Sequence, residues 1–147
     1  MNTPSYLEDH SSQIPALMLL QKMGFTYLSP SEVDELRGSS SQVLLKSVLD
    51  ERLREINTID FRGKSYRFSN HNISSAIQKI TDIPLVDGLI KTNENLYHIL
   101  TLGSSFEETI EGDRKSFTLK YIDWEYPENN KYHVAEEFSV QRVGSYK

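Results

Sequence analysis

The chain has 147 residues, enough for one compact domain with a sizeable core. It is 37% apolar and 25% charged, a soluble globular composition that excludes a disordered or fibrous chain. With no cysteine, disulfide frameworks and thiolate metal sites are excluded; the net charge of −5 argues against holding nucleic acid by bulk electrostatics.

No apolar run approaches the roughly 20 residues that span a bilayer. The opening MNTPSYLEDHSSQ is polar and acidic, unlike a signal peptide. The expectation is a soluble cytoplasmic protein with no membrane partner.

In chain order, Ser12 can cap a first helix with Pro15 in its first turn. Ile14, Leu17, Met18 and Leu20 give it a broad apolar face, and Gly24 ends it. Phe25 to Leu28 reads as a short extended piece. Ser29-Pro30-Ser31 then starts a short helix through Val33 and Leu36. Gly38 and Ser39 to Ser41 form a loop too short to link domains.

A clear amphipathic helix follows, with Leu45, Val48, Leu49, Arg52, Leu53 and Ile56 on one stripe. Arg52 can lay its aliphatic stem along that stripe and send its guanidinium to water. Phe61 to Phe68 suggests a hairpin turning at Gly63. Ser69 caps a helix on which Ile73, Ala76, Ile77 and Ile80 recur at helical spacing. Asp87 can cap another, through Leu89, Leu96 and Leu100, closed by Gly103. Beyond Gly103 the period becomes strand-like: Ser116 to Ile122 alternates, and so does Tyr132 to Val140. The fold class is α+β, with N-terminal helices (about 5–103) followed by strands (about 104–143). No internal repeat or low-complexity tract interrupts it.

Searches for chemistry give few candidates. The seven glycines are scattered and no Gly-Lys-Ser/Thr occurs, so a phosphate loop is absent. His10, His71, His98 and His133 lack metal-ligand spacing. The acidic stretch Asp123 to Asn130 lacks EF-hand spacing and reads as a turn, anchored on the core by Trp124 and Tyr126. Seven cations against four acids fall between Val43 and Ile80, whereas nine acids face six bases from Ser105 onward. The basic middle is either a solvated surface or a phosphate-facing one, with Arg52, Arg54, Arg62, Lys64 and Arg67 as candidate DNA contacts. On the last strand Tyr132, Val134, Glu136, Phe138 and Val140 share a face. An isolated charge on a buried face is costly, so Glu136 needs an ion-pair partner, a bulge that re-aims it, or a role in a metal-binding cleft.

The run LTLGSSFEETIEGDRKSFTLKYIDWEYPENNKYHVAEEFSVQR, Leu100 to Arg142, resembles the N-terminal nuclease region of the restriction subunit of type I restriction–modification enzymes. Pro15-Ala16-Leu17 with Gly24-Phe25, Phe68-Ser69 leading to Ile73 and Ala76-Ile77, and Gly88-Leu89-Ile90 before Asn93-Glu94 extend the likeness over most of residues 5 to 143. The resemblance implies a restriction-endonuclease-like fold, here incomplete. In that family a Pro-Asp pair and a Glu-x-Lys hold the catalytic metal. Neither occurs up to Lys147, so those strands are expected to follow it and the fragment is expected to be inactive alone.

For the intact protein the resemblance implies Mg²⁺-dependent endonucleolytic cleavage of double-stranded DNA after ATP-driven translocation, in a complex with methylation and specificity subunits. Related domains place a Glu or Gln on the first helix, which makes Gln13 a candidate catalytic residue beside Glu136. The alternative is a non-catalytic module that docks on DNA or on those subunits.

Overall fold

The computed structural model describes residues 12–84, 86, 88–136 and 138–140. Its elements are α1 (Ile14–Lys22), β1 (Thr26–Leu28), α2 (Pro30–Arg37), α3 (Lys46–Ile56), β2 (Thr58–Phe61), β3 (Lys64–Arg67), α4 (Asn70–Thr81), α5 (Gly88–Leu102), β4 (Ser104–Ile110), β5 (Asp113–Leu119) and β6 (His133–Ala135). The class is α+β, as the periodicities predict. Strands also interleave with the early helices, because β1 pairs with β6 and β2–β3 falls between α3 and α4. The described residues form two compact units: those up to 45 with those from 131 onward, and those from 46 to 130.

The first unit is built on a two-stranded parallel sheet, with Thr26, Tyr27 and Leu28 opposite His133, Val134 and Ala135. Gln13 rather than Ser12 occupies the N-cap of α1, and Pro15 sits in the first turn as expected. After Lys22 the chain turns through Gly24 at φ +98°, a conformation open to glycine at no steric cost. Ser29 starts α2 with a full capping box: its hydroxyl accepts from the Glu32 amide while the Glu32 carboxylate accepts from the Ser29 amide. Gly38 closes that helix in the left-handed conformation. The alternating stretch Tyr132 to Val140 yields only three paired residues, and the chain bends at Glu136.

The second unit holds a core of Leu53, Ile59, Phe61, Phe68, Ile73, Ala76, Ile110, Leu119 and Tyr121. Helical spacing delivers Leu53 from α3 and Ile73 and Ala76 from α4. Alternation on β2 turns Ile59 and Phe61 inward and Thr58 and Asp60 outward. The two hairpins turn at Arg62-Gly63 and Glu111-Gly112, each with both central residues at positive φ, the geometry that matches strand twist. Buried Asn57 ties the end of α3 to the end of β5: its amide donates to the Leu53 and Lys120 carbonyls while its oxygen accepts from the Lys120 amide. Asp87, the expected cap of α5, lies outside the described residues.

At the start of α4, Glu108 of β4 acts as an additional cap. One of its oxygens accepts from the Ser69 amide (2.7 Å), the Ser69 hydroxyl (2.8 Å) and Asn72 Nδ2 (2.8 Å). Burial alone would raise this carboxyl, but those bonds and nearby His71 outweigh it and hold it below the ordinary 4.5. A depressed carboxylate stabilises the fold above its unfolded value and loses that contribution as pH falls through its folded one. Glu108→Gln is therefore expected to cost about 1 kcal/mol near neutrality. The gap between wild type and variant should close below pH 4.5 in urea titrations run at several pH values.

Candidate active site

Two side chains 123 positions apart in sequence meet in the first unit. Gln13, at the N-cap of α1, donates from Nε2 to Glu136 Oε2 at 2.7 Å. From β1, the Tyr27 hydroxyl donates to the other oxygen, Glu136 Oε1, also at 2.7 Å. All three are half-buried. Both candidate residues named from the sequence are thus brought into contact, and Tyr27 is an addition that sequence reasoning missed. The available signal was the β1 alternation, which leaves Tyr27 on the face opposite its neighbours Thr26 and Leu28.

The isolated carboxylate expected on an apolar face therefore has partners, and the bend after Ala135 is what turns it toward them. Donation to Glu136, then burial, then the charges of Glu136 and Glu32 hold the Tyr27 hydroxyl above its ordinary value of 10.0. A carboxylate has roughly four lone-pair sites, so two donors fix its plane and leave acceptor capacity for a ligand or water. Beside it lies a cavity of about 430 Å³, lined by Ser12, Gln13, Ala16, Leu17, Leu20, Ala135 and Glu136. Its apolar wall comes from α1, none of whose residues is buried.

The chemistry of this donor set does not amount to a divalent-metal site. A hard cation takes about six oxygens and favours carboxylates, and this cleft offers one carboxylate, one amide and the Ser12 hydroxyl. Among the described residues no group of three His, Asp or Glu could hold a metal ion.

The five candidate DNA-contact cations all belong to the second unit, and each is bonded within it. Arg52 pairs with Glu55 and Glu51 and donates to the Asn129 carbonyl, so its guanidinium is held on the protein rather than sent to water. Arg54 grips Asp50 and Asn70, and Arg67 donates to the Arg54 carbonyl. Arg62 and Lys64, at one hairpin tip, pair with Asp113 and Glu111 at the other. Arg62 and Lys64 keep side-chain exposures of 59% and 69%, against 18% for Arg52 and 36% for Arg54, so they are freer than those two to meet a phosphate.

The chain is thus an α+β protein in which a helix-borne amide and a strand-end carboxylate, from distant segments, meet beside a shared cleft. The chain belongs to the family described as the type I restriction enzyme R protein N terminus, whose model matches residues 5–147. Searches of curated proteins and of solved structures gave no match. Among the described residues no helix is long and apolar enough to cross a membrane.

Proposed function

We propose that this chain is the front of the nuclease region of a type I restriction enzyme R subunit, and that the intact protein cleaves double-stranded DNA. The reading is supported above all by the 2.7 Å bond between Gln13 and Glu136, since those two residues are the pair expected at a cleavage cleft. In this reading residues 1–147 belong to a single restriction-endonuclease-like domain. Glu136 is the carboxylate that faces the substrate, while Gln13 and Tyr27 fix its plane. Exposed Arg62 and Lys64 supply contacts to the DNA backbone.

Mg²⁺, where bound, supplies an activated water and neutralises the phosphodiester's charge. Because the cleft offers too few oxygens, its ligands are assigned to other parts of the R protein. ATP-driven translocation is likewise placed elsewhere in that protein, and the methylation and specificity subunits are its partners. The cellular setting is the cytoplasm.

The test is cleavage by the intact R protein in its complex, with DNA, ATP and Mg²⁺. Glu136→Ala is expected to lower cleavage by about 10²-fold or more while ATP hydrolysis continues. Wild-type cleavage by that variant would refute the reading. The 147-residue chain alone, given Mg²⁺, is expected to leave DNA uncut.

A second reading, a module that docks on partner subunits, is favoured by one observation. Helix α5 presents Leu89, Ile90, Tyr97 and Leu102 to solvent at 66% exposure or more. Binding of the chain to the isolated subunits, lost on Ile90→Asp, would support it.

A further inference from the structure

Arg37 is a buried cation whose bonds the proposed chemistry does not use. It closes α2, and its side chain is only 6% exposed. Nε and Nη2 both reach Asp34 Oδ1, at 3.0 and 2.5 Å. With Asp34 steadying the fork in this way, Nη1 donates to the Ser139 carbonyl at 2.6 Å. The guanidinium carbon also lies 5.1 Å from the centre of the Phe138 ring. Phe138 and Ser139 follow Glu136 by two and three residues, where strand pairing has already ended. A small cavity of about 80 Å³ lies between this arginine and that segment, lined by Pro30, Val33, Asp34, Arg37, Glu136, Phe138 and Ser139.

Among the described residues the bend at Glu136 is held from both sides. Upstream, β6 holds it through three residues of sheet. Downstream, the polar and aromatic contacts named here are made to Arg37. A buried guanidinium is costly to desolvate, so its donors must be satisfied: Asp34 takes Nε and Nη2, and the segment that carries the carboxylate takes Nη1.

We propose that Arg37 is a positioning residue: by clamping residues 138 and 139 to α2 it fixes where the Glu136 carboxylate stands between Gln13 and Tyr27. The inference rests on the reading of Glu136 as the functional carboxylate, but its geometric part can be tested apart from cleavage.

The test is hydrogen exchange of the Gln13 side-chain amide, followed by NMR on the full ¹⁵N-labelled chain. In the wild type the bond to Glu136 is expected to protect one Nε2 hydrogen. Arg37→Ala is expected to speed its exchange about tenfold, while the Thr26 amide, bonded to the Tyr132 carbonyl, stays protected. Arg37→Lys keeps one donor for Ser139 and should restore part of the protection. Unchanged Gln13 exchange with the Thr26 amide protected would overturn the proposal. If Arg37→Ala also exposes the Thr26 amide, Phe138→Leu decides, since it removes the ring and leaves the arginine's bonds. A rise of about threefold is then expected at Gln13, and no rise overturns the proposal. Wild-type cleavage by Glu136→Ala, together with loosened Gln13 exchange in Arg37→Ala, would reject the nuclease role and keep the clamp.

Discussion

Asp123→Ala is expected to lower stability by about 3 kcal/mol, and the melting temperature by roughly 10 °C. Asp123 is 2% exposed yet charged, and the loop from Asp123 to Asn130 is organised around it. Its carboxylate accepts from Asn129 Nδ2 at 2.9 Å, from Lys120 Nζ at 2.9 Å and from the Tyr126 amide at 3.2 Å. The backbone of Asp123 is held as well, its amide donating to Asn130 Oδ1 and its carbonyl accepting from Asn130 Nδ2. Removing the carboxylate leaves those donors without their acceptor, which costs more than the net worth of the bonds themselves.

The bonds from Asn129 and Lys120 outweigh burial and hold the Asp123 carboxyl at about 2, against an ordinary 3.8. The sign follows from that depression: the stabilisation is complete above pH 3.8 and is lost as pH falls toward about 2. The gap between wild type and variant should therefore be constant from pH 7 to about 5 and narrow below pH 3.8. Trp124, the single tryptophan and the adjacent residue, reports the transition by fluorescence in urea. A loss below about 1 kcal/mol would show that the loop is held by something else.

This loop also shows where the sequence could be read and where it could not. The stretch from Asp123 to Asn130 reads as a turn between two strands, and it lies between β5 and β6 with a 3-10 turn at Pro127–Asn129. Trp124 and Tyr126 were expected to anchor the turn on the core, yet they are 60% and 52% exposed. Aromatic residues suggest burial, but which side chain is buried depends on tertiary hydrogen bonds that local pattern does not encode. Helices with one apolar stripe, such as α4, were legible because their period alone selects the buried face. Strand β6 was not, since alternation continues to Val140 while pairing ends at Ala135 for want of a partner beyond β1 among the described residues. At the candidate site, Glu136 was legible as a carboxylate out of place on an apolar face. Gln13 became a candidate through family likeness. Tyr27 had only the alternation of a three-residue strand and Arg37 no local signal, because their roles arise from contacts across about 100 residues.

Gly103→Ala is expected to be at least as damaging as the loss of Asp123, at about 3–5 kcal/mol, for a reason of shape alone. Gly103 joins α5 to β4 at φ +77°, with its amide donating to the Ile99 carbonyl at 2.9 Å. An L-residue there incurs about 1–2 kcal/mol for the left-handed conformation. A Cβ would also stand 2.5 Å from the Leu119 carbonyl oxygen and 3.1 Å from Thr118 Cγ2. The oxygen is backbone, and Leu119 is paired with Ser104 at the first register position of the β4–β5 hairpin, so it cannot rotate away. Relief requires shifting either α5 or the end of β5, where Leu119 is fully buried. Gly38→Ala separates the two contributions. It has a similar φ of +73° but nothing within 4 Å of the added carbon, so it should cost only about 1–2 kcal/mol. Urea unfolding of both variants measures the difference directly. Equal losses would mean that the hairpin yields to the methyl group, and that the close approach of Gly103 to Leu119 contributes nothing to the choice of glycine there.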